Sequence, residues 1–147
     1  MSESVPFVFS YPITVHLRDT DGLGHVNNAV YMTYLETARN RWVFELTGKK
    51  EVRDFDFILA HTTIDFKSAA NLYDQLEVSL RPLRIGNSSW ELGYEIRERG
   101  SGRLVVAARS VQVSYDYAAE KPMAVPARLR AALEVALAGK GGSEERL

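Results

Sequence analysis

One long helical stripe, set in a chain that otherwise reads as strands, most constrains what this sequence can fold into. Tyr31, Tyr34, Leu35, Ala38, Trp42, Val43 and Leu46 recur at the three-and-four spacing that lines one side of an α-helix. Asn27 or Asn28 offers a side-chain oxygen to the first unpaired N–H groups, and Gly48 stands where a left-handed residue ends the last turn. The helix is therefore read from about Asn28 to about Thr47, with Glu36, Arg39, Asn40 and Arg41 on its polar side.

The segments around it alternate with the period of a strand. Phe7 to Leu17 puts Tyr11, Ile13, Val15 and Leu17 on one face, and Pro12 marks it as an edge or a bulge. Phe57–Phe66, Leu76–Ile85, Trp90–Arg97 and Leu104–Tyr115 follow. Gly86-Asn87 and Gly100-Ser101-Gly102 separate the last three, which indicates an antiparallel meander. Pro126 opens a short helix to about Ala138, with Leu129, Leu133 and Leu137 on its apolar side. The charged, glycine-rich residues 139–147 read as a disordered tail. The result is one α+β domain, residues 1–138, with a helix laid on an antiparallel sheet. Its apolar sheet positions outnumber what one helix can cover, so a second copy is expected to cover the rest.

The 147 residues fit a single domain, and a formal net charge of −1 argues against a nucleic-acid partner. The absence of cysteine excludes a disulfide framework, a thiolate nucleophile and a sulfur-ligated zinc. No histidine or carboxylate spacing suggests a metal site, so none is expected. The first residues lack the pattern of a signal peptide, and no run approaches the ~20 apolar residues of a membrane span. A soluble cytoplasmic protein without a membrane partner is the expectation.

Asp19-Thr20-Asp21-Gly22-Leu23-Gly24-His25-Val26-Asn27-Asn28 is the least structural-looking stretch, directly ahead of the long helix. A helix start presents unpaired N–H groups and about half a positive charge, enough to bind an anion or polarise a carbonyl. A nearby carboxylate can take a proton from water or attack a carbonyl itself. Those are the parts needed to hydrolyse an activated acyl group. The same residues also serve ordinary turns and caps, and composition alone leaves both readings open.

Asp19-Thr20-Asp21, Gly24-His25-Val26-Asn27-Asn28, Tyr31, Tyr34, Glu36 and Arg39 together resemble the signature of the 4-hydroxybenzoyl-CoA thioesterase-like family of hotdog proteins. The resemblance extends over roughly residues 7 to 117. It implies the hotdog fold, a five-stranded antiparallel sheet wrapped around the long helix, with a short C-terminal helix added here. It implies pairing of two copies into one continuous sheet, assembly of pairs into tetramers, and active sites between subunits. The implied reaction is hydrolysis of an acyl-CoA to a free acid and coenzyme A, with no cofactor. Asp21 would be the base or nucleophile, and the backbone N–H of Asn28, with Asn27 helping, would hold the thioester oxygen. Asp19 would order the loop, and His25 would meet either substrate or the loop. Arg84 and Asn87, with Arg81 and Ser88, resemble the turn that lines coenzyme A, with Lys67 and Ser68 weaker candidates. An apolar acyl pocket would share Tyr31, reached by His61 and Thr63 of a neighbouring subunit. His16 reads as structural. Two other functions remain in view: a hydratase or dehydratase acting on acyl thioesters through His25 and Asp21, and a non-catalytic acyl-CoA binding module, against which Asp21 argues.

Overall fold

The computed structural model describes residues 6–145, without the side chains of residue 52 and residues 140–145. Helix α1 spans Val30–Thr47 and buries Tyr31, Tyr34, Leu35, Ala38, Trp42 and Val43, the stripe read from the spacing. It opens two residues later than expected. The Asn27 side-chain oxygen accepts the Ala29 N–H at 2.9 Å and the Asn27 carbonyl accepts that of Val30 at 2.9 Å, so a turn precedes the helix. At the other end Gly48 has φ 74° and donates to the Phe44 carbonyl, closing the helix where a side-chain Cβ would be strained.

The strands are β1 (Phe9–Thr14), β2 (Phe57–Phe66), β3 (Gln75–Ile85), β4 (Ser89–Glu98) and β5 (Leu104–Asp116). They pair antiparallel in the order β1-β3-β4-β5-β2, and a two-residue strand β6 (Lys121–Pro122) joins the end of β5. Leu76, Val78 and Leu80 of β3 and Trp90, Leu92, Tyr94 and Ile96 of β4 are buried in one cluster with the α1 stripe. Each such side chain contributes about 1.5–3 kcal/mol by leaving water, so this face holds the helix on the sheet. The expected α+β hotdog arrangement is what forms.

Three expectations need correction. Leu17 leaves the β1 face and sits 70% exposed on a short 3-10 turn, Leu17–Asp19, because the chain must bend toward α1. Arg39 is not on the polar side of α1. It is only 4% exposed, and its Nη1 donates to Tyr94 Oη at 3.2 Å. That hydroxyl continues to Ser110 Oγ at 2.6 Å, and Ser110 is bonded to Gln112, a buried polar row beneath the helix. Helix α2 (Ala127–Glu145) runs past Ala138 through the supposed tail, and residues 146–147 lie outside the described residues. Leu129 and Leu133 are buried and dock it. Once a helix is docked, each added residue gains a hydrogen bond against a cost of about 1 kcal/mol per glycine.

The two sheet edges differ. Strand β1 carries Pro12, which offers no N–H, and lies along α1. Strand β2 is ten residues long and mostly open, with Ile58, Leu59 and Phe66 between 37% and 49% exposed. Its own edge is uncovered among the described residues.

Candidate active site

The Asp19–Asn28 loop is folded back on itself by its own backbone and anchored from outside by residues 70–72. Thr20 and Val26 form an antiparallel bridge, the Asn27 N–H donates to the Asp19 carbonyl at 2.9 Å, and the Asp21 N–H donates to the His25 carbonyl at 2.8 Å. Gly24, at φ 82°, makes the reversal possible and donates to the Asp21 carbonyl at 3.2 Å. Asp19 fastens this loop to the helix: its Oδ2 accepts the Tyr34 hydroxyl at 3.0 Å and the His16 N–H at 3.0 Å. Burial, and then the neighbouring Asp19 carboxylate, push the Tyr34 phenol well above its ordinary range, so it stays protonated as the donor. Burial likewise raises Tyr31, whose hydroxyl oxygen accepts the Ala70 N–H at 3.2 Å. A groove of about 460 Å³, lined in part by Asp19 and Tyr34, runs between β1 and α1.

Asp21 is exposed. Its Oδ1 accepts the Leu23 N–H at 2.8 Å and the His25 N–H at 3.4 Å, and its Oδ2 has no partner among the described residues. One oxygen therefore fixes the carboxylate while the other is left without a partner among the described residues. The Asn28 N–H makes no hydrogen bond among the described residues either, although its neighbours Asn27, Ala29 and Val30 all do. A held carboxylate and an unengaged amide thus sit on one loop at the positive end of α1, an arrangement able to remove a proton from water and to receive a developing oxyanion. The His25 ring is tied by Nδ1 to Asn71 Oδ1 at 2.9 Å.

The remaining candidates are not gathered around this loop within one copy. Tyr31 lies on the inner side of the sheet, 5.7 Å from the Phe66 ring. His61 and Thr63 pair with Val111 and Arg109, while the alternating Thr62 and Ile64 pair with Ser110 and Ala108 on the inner side, so His61 and Thr63 face outward. Arg81, Arg84, Asn87 and Ser88 stand at the far end of β3 from the loop. Arg81 stacks 4.5 Å over the Phe7 ring, and Arg84 meets Glu91 at 3.3 Å. Asn87 and Ser88 use their carbonyls to accept the N–H groups of Val125 and Ser114. Lys67 and Ser68 do lie at the loop end, with Ser68 Oγ donating to the Leu104 carbonyl at 2.7 Å. Among the described residues, no group of three or more His, Asp or Glu is placed to hold a metal ion. No described helix is long and apolar enough to cross a membrane.

The sequence reading missed Asn71, Asp74 and Arg103, which close around the loop from the β2–β3 and β4–β5 connections. The Asn71 to Asp74 run carries the composition of a turn and nothing more.

This geometry has relatives. A 1,4-dihydroxy-2-naphthoyl-CoA hydrolase from Synechocystis is 30% identical over 109 residues, covering 71% of this chain and 79% of that protein. The acyl-CoA thioesterase YbgC of Haemophilus influenzae is 27% identical over 128 residues, covering 84% of this chain and 93% of that protein. A thioesterase from Thermus thermophilus, solved with coenzyme A and zinc, superposes with a TM-score of 0.78 at 27% identity, over 87% of this chain and 98% of the other. The family model described as the thioesterase-like superfamily matches residues 15–133. The chain belongs to the thioesterase-like superfamily, as a thioester hydrolase of the hotdog fold.

Proposed function

We propose that the chain hydrolyses an acyl-CoA with Asp21 as the reacting carboxylate and the Asn28 backbone N–H as the oxyanion donor. The observation that carries this is the pairing of a carboxylate whose Oδ2 is unengaged with an amide left unbonded at the start of α1. As a general base, Asp21 takes a proton from water as the water oxygen bonds to the thioester carbon. The C–S bond then breaks, with its electron pair leaving on sulfur. As a nucleophile, Asp21 Oδ2 attacks the carbon directly and water hydrolyses the resulting anhydride. One lost oxyanion donor costs about 2.7–4 kcal/mol of transition-state stabilisation, so the helix start carries a large share of the catalysis. Asn27 supports the donor indirectly, by holding the turn through Ala29.

The thiol carrier is coenzyme A, and the site is completed by a second copy. Strand β3 has 11 residues and so separates the Asp21 loop from Arg84 and Asn87 by about 35 Å. Antiparallel pairing of two open β2 edges would set the loop of one copy level with the β3–β4 turn of the other. His61 and Thr63, which do not face Tyr31 of their own chain, would then lie near the junction. Arg81, already occupied by Phe7, is the weakest of the coenzyme A candidates.

The test is thiol release from a panel of aromatic and medium-chain acyl-CoAs, run with the parent chain and with Asp21→Asn. Hydrolysis abolished by the substitution supports the proposal. Undiminished hydrolysis in Asp21→Asn sinks it, and hydration of an enoyl-CoA without thiol release would favour the hydratase reading.

A further inference from the structure

Behind His25 stands a turn that is fastened more firmly than its exposure requires. Arg103, at the tip between β4 and β5, donates from Nη1 to Ser68 Oγ at 2.7 Å and to the Ala69 carbonyl at 2.7 Å. Its Nη2 lies 3.6 Å from Asp74 Oδ2. That same Asp74 oxygen accepts the Asn71 N–H at 2.9 Å, and the Asp74 N–H returns to the Asn71 carbonyl at 3.0 Å. The turn is held from three sides, with Asn71 facing the Asp21 loop.

Three bonds cross from this turn to that loop. Val26 N–H donates to the Ala70 carbonyl at 2.9 Å and Leu72 N–H donates to the Gly24 carbonyl at 3.1 Å. Both are backbone bonds and fix where the loop lies. The third, His25 Nδ1 with Asn71 Oδ1 at 2.9 Å, fixes no backbone. Both residues are exposed, so the bond adds little to stability, and water would satisfy either group. What water would not do is choose a tautomer. An amide carbonyl oxygen only accepts, so the proton must sit on Nδ1, and the neutral ring keeps its lone pair on Nε2.

We infer that Asn71 is a positioning residue: through His25 Nδ1 it holds the imidazole as a hydrogen-bond acceptor at Nε2 on the loop that carries Asp21. This rests on the Asp21 reading above and assigns His25 a role within it. The ring holds one O–H of the attacking water while Asp21 removes the other proton. The imidazole ends the step in the protonation state in which it began, and the thiolate departs unprotonated. His25 is then not the acid that protonates the leaving group.

The first test needs no substrate. Nitrogen-15 NMR of the imidazoles reads the tautomer directly, and the His25 signal is identified among the chain's three histidines by its loss in His25→Gln. The expected spectrum of the neutral ring has Nδ1 protonated and Nε2 bare. Asn71→Leu should mix the two tautomers, and Asn71→Asp, which keeps an acceptor opposite Nδ1, should restore the first. In kinetics, Asn71→Leu should lower kcat by about ten- to a hundredfold with KM nearly unchanged, as a misoriented group does, and Asn71→Asp should recover most of it. The exposed position means that the unfolding midpoint should not move in either variant. A parent ring with Nδ1 bare, or a tautomer unaltered in Asn71→Leu, would overturn the inference. Surviving turnover in Asp21→Asn would instead defeat the parent reading, whatever the NMR result.

Discussion

The two ends of strand β3 are built in different ways. At its start lie the Asp19–Asn28 loop, the turn around Asn71 and the Arg103 tip, cross-bonded through backbone and side chains alike. At its finish lies the Gly86–Ser88 turn. There Arg130 of α2 donates to the carbonyls of Gly86 at 2.6 Å and Asn87 at 3.1 Å, and the Val125 N–H also reaches Asn87. Those bonds consume carbonyls and leave the Asn87 side chain and the Arg84 guanidinium outside. The first end holds a carboxylate with an open oxygen, while the second offers cationic and amide groups suited to phosphate. Under the proposed function, chemistry and carrier recognition sit at opposite ends of one sheet, and a second copy running the other way would bring them together.

The contrast breaks first at Asp21. Asp21→Asn keeps the shape of the loop and removes the base, so kcat should fall by about 10²–10⁴-fold, measured as thiol release. A residual rate within tenfold of the parent chain would move the chemistry elsewhere. The second measurement joins the ends. Arg84→Glu should raise KM for an acyl-CoA by about tenfold or more, with kcat little changed, if the guanidinium meets a phosphate. Co-expressed Asp21→Asn and Arg84→Glu chains should then recover activity beyond the sum of the two alone, because a mixed pair contains one site with both parts intact. Strict additivity would place both ends of the site on one copy. Third, Leu59→Lys charges the open edge of β2. Sedimentation should show the assembly shifted toward single chains, with activity lost in proportion, and an unchanged mass would free β2 from the pairing assigned to it.

Much of this is legible from the residues. The α1 stripe, its Gly48 terminus and the β2 boundaries follow from local periodicity and backbone sterics, which are properties of neighbours in sequence. Where the sequence misleads, the deciding partner is distant. Arg39 reads as polar-side because arginine is seldom buried, although it stands four residues after Leu35 and so on the same row. Its acceptor, Tyr94, is 55 residues away. His25 stays undecided between substrate and loop in the sequence because Asn71, 46 residues on, carries no periodic signal. The sequence reading assigns His61 and Thr63 to a neighbouring subunit's pocket, and strand alternation turns them away from Tyr31 of their own chain.

The smallest effect is also the most specific to the loop end. Tyr34 joins α1 to Asp19 through one hydroxyl, and Tyr34→Phe deletes that bond with little change of shape. A hydrogen bond to a charged acceptor contributes about 1.5–3 kcal/mol, so the partly buried pair should cost about 1.5 kcal/mol at neutral pH by chemical denaturation. Alkaline pH tests the same group differently. A tyrosine in the unfolded chain releases its proton near 10.0, whereas folded Tyr34 retains it to higher pH. Above pH 10 the unfolded state therefore binds fewer protons than the folded one, and stability falls as pH rises, by at most about 1.4 kcal/mol per pH unit for each such group. The contribution is fully present below pH 10. Tyr34→Phe should flatten that decline, leaving the part that Tyr31, also raised by burial, continues to supply. If parent and variant instead decline in parallel, the Tyr34 proton is not retained on folding, and the loop end is tied to α1 by backbone bonds alone.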